Sequence, residues 1–219
     1  MIKAIFIDFY GTVVYEDDEI IERIVQEIIR TGKEKSRSEV GGYWTHEFQK
    51  GFMKAHGENF ETQRAVEYRA LANTIEHFGS TADAVALSNE LFENWRKPPI
   101  FPESKEFFEK CPVPIYIVSN IDRADIMAAI AYHGLKPAGV FTSEDARSYK
   151  PNKEVFELAL GSTGLKADEV IHIGDSFSSD VKGAKGVDIK AIWVNRRGLP
   201  VPGDTVAVGN LLEVLEKIS

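Results

Sequence analysis

Three acids in this chain stand where chemistry can be done. Asp8 closes the apolar run IKAIFI and opens the turn FYGTVV. Asp175 and Asp180 follow a second apolar run, in HIGDSFSSDVKGAKG. An acid at a strand end can serve as a covalent nucleophile or a metal ligand, and Gly11 beside it lets backbone amides approach an anion. Taken singly, Asp8 is equally well a cap for its turn. Asp175 or Ser178 can cap a helix over 178–186, but capping does not need two acids. Three carboxylates with no His or Cys among them suit a hard cation with oxygen ligands, Mg²⁺ rather than zinc.

Two further segments carry polar groups to comparable places. Ser119 and Asn120 end the run VPIYIVSN, where they can donate hydrogen bonds to an anion or cap the next helix. Lys150, in SYKPNKEVF, precedes a helix started by Pro151. A cation there does not help the helix dipole. A negative partner, either substrate or Asp8, explains it better.

The elements that must hold these groups follow from periodicity. Residues 3–7 read as a buried parallel strand without alternation. From Asp17 the apolar residues Ile20, Ile21, Ile24, Val25, Ile28 and Ile29 form one helical stripe, ended by Gly32. Ser36 with Glu39 offers a capping box for a second helix, which Gly41 and Gly42 are expected to weaken or shorten. Helical stretches near 60–77 and 82–96 follow. Pro98 and Pro99 break the pattern. Beyond them strands at 113–118, 139–142, 170–173 and 189–194 alternate with helices at 123–133, 152–160 and 178–186, and 206–208 reads as an edge strand before a last helix. The expected fold is α/β, a Rossmann-like parallel sheet from residues 1–15 and 98–219, with a helical cap over 16–97.

Composition bounds the partners. The 219 residues carry a formal net charge of −8, which disfavours nucleic acid. No stretch approaches the length of a membrane span, no secretory leader is visible, and a single Cys111 excludes an intrachain disulfide. A cytoplasmic protein acting on a small molecule is expected, without membrane partners, as monomer or homodimer.

Together the four segments resemble the motifs of the haloacid dehalogenase superfamily of hydrolases. DFYGTVV corresponds to its first motif, IVSN to the second, Lys150 in YKPNKEVF to the third and GDSFSSD to the fourth. The resemblance implies Asp8 as nucleophile, Ser119 as the hydroxyl holding the transferring group, and Lys150 as the cation steadying both. It implies Mg²⁺ held by Asp8, the Tyr10 carbonyl and Asp175, with Asp180 assisting. Gly11, Thr12 and Asn120 join Ser119 and Lys150 as expected phosphate contacts.

Tyr10 departs from the phosphatase pattern, which carries a second Asp there as acid and base. A phenol can protonate a leaving alkoxide but is a poor acceptor at neutral pH. Tyr in this place resembles the dehalogenases themselves, where halide leaves without a proton and no metal is needed. Their fourth motif, however, reads Ser-Ser-Asn where this chain has Gly-Asp-Ser, and their cap carries an Arg on the substrate or halide. Arg37 is a candidate counterpart, though a surface Arg is the expectation. The expected function is therefore a Mg²⁺-dependent phosphatase working through an aspartyl-phosphate on Asp8. The alternatives are a metal-free 2-haloacid dehalogenase and a phosphate-binding or regulatory protein with little turnover. Trp44, Tyr43 and Phe48 are expected to form cap core, and the five histidines are given no role.

Overall fold

The computed structural model describes residues 1–33 and 36–218. Six strands, β1 (Ala4–Ile7), β2 (Ile115–Ser119), β3 (Gly139–Thr142), β4 (Val170–Gly174), β5 (Lys190–Val194) and β6 (Val206–Val208), form one sheet. Its order is β3-β2-β1-β4-β5-β6, and every neighbouring pair is parallel. Strand order reverses at β1, so a crevice opens beyond the carboxyl ends of β1, β2 and β4. The register pairs Ile7 with both Ile117 and Ile173. Asp8, Ser119 and Asp175 therefore leave the sheet at one edge.

Helices cover both faces, which is why β1 is apolar at every position and fully buried. One face packs Ala4, Phe6 and Val170 against Phe156 and Ala159 of a later helix. The other packs Ile5, Ile7, Ile117 and Ile173 in one cluster with Ile24, Ile28, Leu71 and Leu91. Each fully buried Ile or Leu in such a cluster contributes about 1.5–3 kcal/mol.

The last four of those residues belong to helices inserted after β1. These are α1 (Asp18–Thr31), α2 (Arg37–Lys54), α3 (Gln63–His77) and α4 (Ala84–Arg96). Ser36 caps α2 by accepting the Glu39 backbone N–H at 3.3 Å. Contrary to expectation, α2 runs unbroken through Gly41 and Gly42. Packing against α3 outweighs their weak propensity: at Gly51 an added Cβ would lie 2.8 Å from Val66. The start of α3 is fixed from the sheet side. Asp122, just beyond β2, accepts the backbone N–H groups of Gln63 at 2.8 Å and Arg64 at 3.0 Å. Arg64 also pairs with the buried Asp125, and the Tyr149 hydroxyl donates to the Glu61 carbonyl at 2.8 Å.

Beyond Pro99 the chain forms α5 (Ser104–Lys110), α6 (Arg123–His133), α7 (Ser143–Ala146), α8 (Glu154–Thr163), α9 (Gly183–Lys185) and α10 (Leu212–Ile218). Periodicity did not mark α5, which is two turns long and held by buried Phe107 and by Ser104 Oγ donating to the Val13 carbonyl at 2.6 Å. Nor is 178–186 one α-helix. It opens as a π-helical segment, Phe177–Lys182, and only then becomes α9. Its cap is Ser176, whose Oγ accepts the Ser179 N–H at 3.2 Å, rather than Asp175 or Ser178.

Candidate active site

Asp8 extends straight off β1 into a turn in which Gly11 has φ +83°. A side chain is excluded there twice over. The φ is left-handed, and a Cβ would lie 2.6 Å from the Asp175 carboxylate. The turn thereby brings Thr12 between two acids. Its Oγ1 lies 3.2 Å from Asp8 Oδ2 and 3.3 Å from Asp175 Oδ1, and it accepts the Asp175 backbone N–H at 3.0 Å.

Lys150 is buried beneath the same edge. Its Nζ donates to Asp8 Oδ1 at 2.6 Å, Asp180 Oδ1 at 2.7 Å and the Val118 carbonyl at 2.9 Å. Three donors and three acceptors leave the ammonium one orientation. Burial disfavours its charge, yet Asp180 and Asp8 outweigh that and raise its pKa to about 12. Ser119 Oγ sits 3.4 Å from Asp8 Oδ1.

The π-helical segment sets Asp180 close under Gly174, where a Cβ would fall 2.2 Å from the Asp180 carboxyl carbon. Asp180 also accepts the Ser176 N–H at 3.0 Å and the imidazole Nε2–H of His172, again at 3.0 Å. Burial works against its charge, but Lys150 and His172 draw it down to about 2. Burial keeps His172 itself neutral by lowering its pKa.

Asp8, Asp175 and Asp180 each offer an oxygen within 4.8 Å of the others. One lysine does not neutralise three acids. Burial, with Asp8 and Asp180 nearby, pushes Asp175 up to about 8, and burial raises Asp8 as well. Oxygen-only donors, clustered and short of positive charge, fit a hard divalent cation. The Tyr10 carbonyl, from the same turn, is a candidate fourth ligand.

Two of the expected site residues have partners that the sequence did not mark. The Asn120 carboxamide donates to the Lys150 carbonyl at 3.0 Å and accepts the Lys150 N–H at 2.7 Å. It braces the lysine's backbone with one of its two N–H donors and lines the cavity as well. The Tyr10 phenol donates to the Trp95 carbonyl at 2.5 Å. Burial and the charges of Asp125 and Asp17 hold its pKa well above 10. Its proton is thus committed to the end of α4, and the side chain is a tether rather than an acid.

A cavity of about 370 Å³ covers the acids. Asp8, Ser119, Lys150 and Asp175 line one side, and Phe48, Phe52, Gln63 and Trp95 the other. Asp17 lines the cavity too and accepts Asn94 Nδ2–H and Trp95 Nε1–H, each at 2.7 Å. Arg37 is exposed and pairs with Glu22. Trp44 is buried and donates to Glu67 at 2.7 Å, while Tyr43 stacks on His77. His172, Asp17, Gln63 and Glu67 were not anticipated. Only His172 left a signal, as a lone polar residue in the strand VIHIG.

Residues 2–188 match the family model for haloacid dehalogenase-like hydrolases, and the chain belongs to that family. A phosphoserine phosphatase of Thermus thermophilus is 27% identical over 159 residues, 67% of this chain and 62% of that protein. The match thus spans less than two thirds of that relative. An (S)-2-haloacid dehalogenase from a Pseudomonas species is 26% identical over 205 residues, 90% of this chain and 84% of that protein. The structure of the L-2-haloacid dehalogenase from Xanthobacter autotrophicus superposes with TM-score 0.78 at 19% identity, covering 100% of this chain and 98% of that one, and so shares its fold.

Proposed function

We propose that the protein is a Mg²⁺-dependent phosphohydrolase acting on a small phosphate ester, with residues 16–97 as a cap over the cleft. One observation carries this reading: Asp8, Asp175 and Asp180 share one cluster, two of them buried and Asp175 partly so, in which Asp175 is raised to about 8. A cluster so short of positive charge suits a reaction that brings a cation and a phosphate together. Asp8, the Tyr10 carbonyl and Asp175 would hold the ion, with Asp180 beside them. When bound, Mg²⁺ supplies positive charge against the carboxylates and the phosphoryl oxygens.

Asp8 attacks phosphorus, the ester oxygen departs with its electron pair, and an aspartyl-phosphate forms on Asp8. Water then attacks phosphorus, releasing inorganic phosphate and restoring the carboxylate. Lys150 offsets charge on Asp8 and fixes its direction, and Ser119 and Thr12 stand ready to donate to the phosphoryl oxygens. Asp180 and His172 keep Lys150 in place. With the Tyr10 proton committed to Trp95, no acid from that position meets the leaving oxygen. Aryl and acyl phosphates, which leave as stable anions, are therefore the favoured substrates. Acid–base help is worth roughly 10²–10⁴ in rate, so matched alkyl phosphates should be turned over at least about tenfold more slowly.

A second reading is favoured by the same tether. A leaving halide needs no proton, so a Tyr10 withheld from the leaving group is no handicap to a 2-haloacid dehalogenase. Steady-state assays separate the two. Aryl phosphate hydrolysis that needs Mg²⁺ and is lost in Asp8→Asn supports the phosphohydrolase. Rapid halide release from a 2-haloacid, indifferent to chelator, would establish the dehalogenase instead.

A further inference from the structure

Beside the catalytic cavity lies a second chamber of about 360 Å³ within the inserted helices. Asp17, Phe48, Gln63 and Trp95 line both, so the two adjoin. The chamber exists because α2 carries Gly41 and Gly42 on this side, where an added Cβ would meet nothing within 4 Å.

Its lining carries two acids, Asp17 and Glu67, beside Gln63, Ser38 and Thr45, and the indole N–H groups of Trp44 and Trp95 are spent on those acids. Glu67 is only 8% exposed and takes one hydrogen bond, from Trp44 Nε1. Among the described residues its carboxylate has no other donor and no cation. Gln63, one helical turn earlier on the same face of α3, has a buried Oε1 with no hydrogen-bond partner among the described residues. Asp17 adds a further acid at the junction. Among the described residues the lining holds one basic side chain, Arg37, which is exposed and paired with Glu22. Trp44, Trp95 and Phe48 supply aromatic walls, which favour a cation.

A carboxylate buried without a counter-charge is costly. Burial, with Asp17 adding to it, raises Glu67 to about 7. A glutamine would serve Trp44 as well without that cost. An acid with one donor and no paired cation among the described residues, beside an unmet carboxamide oxygen on the same wall, calls for a group bearing both positive charge and several N–H donors.

We infer that this chamber receives the primary ammonium end of the substrate, with Glu67 as counter-ion and Gln63 Oε1 as second acceptor. Resting on the phosphohydrolase reading, the inference narrows the substrate to an amino-substituted phosphate ester, held by its phosphate at Asp8 and its ammonium in the cap.

The test is equilibrium binding in the presence of Mg²⁺. Aminoalkylphosphonates of graded chain length are each compared with the alkylphosphonate bearing a methyl in place of the ammonium. Calorimetry gives the affinities, and fluorescence from Trp44 and Trp95 reports occupancy of the chamber. At the best length the amino compound should bind about tenfold more tightly, equivalent to about 1.4 kcal/mol. Glu67→Gln, which keeps an acceptor for Trp44, should bring that preference close to unity. Equal affinities at every length, no binding of any member, or an undiminished preference in Glu67→Gln would overturn the assignment. Aryl phosphate turnover is measured on the same protein. Turnover with equal affinities removes the ammonium subsite alone, whereas a preserved ammonium preference without turnover removes the phosphohydrolase reading alone.

Discussion

Asp175 bears the electrostatic strain of the site. Its pKa is pushed up to about 8 by burial and by the neighbouring Asp8 and Asp180, against about 3.9 in an unfolded chain. A carboxyl raised on folding binds its proton more tightly in the native state. Its contribution to stability is therefore full below about pH 4 and is lost as the pH rises toward about 8. Glu67, raised to about 7, acts in the same direction. Metal-free protein should melt at lower temperature at about pH 8 than at about pH 5. Mg²⁺ replaces the proton, so it should raise the melting temperature more at the higher pH. Asp175→Asn should flatten the pH slope and weaken Mg²⁺ binding at least about tenfold by calorimetric titration. Affinity equal to the parent's would rule out this coordination.

Which of these residues could be read from sequence follows from where their partners lie. Asp8, Ser119, Asp175 and Asp180 stand at or just beyond apolar strands, so local pattern placed them at one edge. Lys150 was placed by its mismatch with the helix it precedes. The bracing role of Asn120 left no local mark, because its partner is the Lys150 backbone, 30 residues on. The tether of Tyr10 left no local mark, because its partner is a carbonyl 85 residues on. Glu67 sits in QRAVEYRAL as any surface helical acid would; only the packing of α2 on α3 buries it.

Among the elements, α3 is tied to the end of a strand at its first residues. Its first N–H groups are met by Asp122, from the loop after β2. The same contact sets Gln63 over the catalytic cavity. Asp122→Ala removes a cap worth about 1 kcal/mol and frees the helix start from the sheet. The expected result is a lower melting temperature and a raised KM with a smaller change in kcat, measured by thermal denaturation and steady-state kinetics. A fall in kcat alone would argue against a positioning role for α3. Periodicity found α3 but could not find this tie, because a carboxylate after β2 carries no mark of the helix it caps. The π-helical segment was hidden for a related reason. Its residues are ordinary helix formers, and the close fit of Asp180 beneath Gly174 is a tertiary demand.

For the molecule as a whole, the inserted helices and the sheet are not independent bodies. Ile24, Leu71 and Leu91 share one hydrophobic cluster with Ile5, Ile117 and Ile173. Unfolding in urea should accordingly be a single transition. Fluorescence, from Trp44 and Trp95 in the insertion and Trp193 on β5, should coincide with far-ultraviolet circular dichroism. Two separated midpoints would show that the insertion unfolds by itself. Pro98, Pro99 and the change of period mark where the sequence reading ends the insertion, and α1–α4 lie between Asp18 and Arg96. The shared core was not legible, because an amphipathic stripe records that a helix is buried and not against what.

The place of β1 in the sheet also bears on the chain's birth. The strand that carries Asp8 is the first to be made, yet it lies between β2, which begins at Ile115, and β4, which begins at Val170. During synthesis Ala4–Ile7 must wait for most of the chain before either edge is covered in full. Pairings so distant in sequence are slow to close, and an unpaired apolar strand is a target for aggregation in the interval. The early helices can form locally and can shelter only one face of it. The geometry that sets Asp8 at the centre of the sheet thus makes β1 the longest-exposed of the six strands.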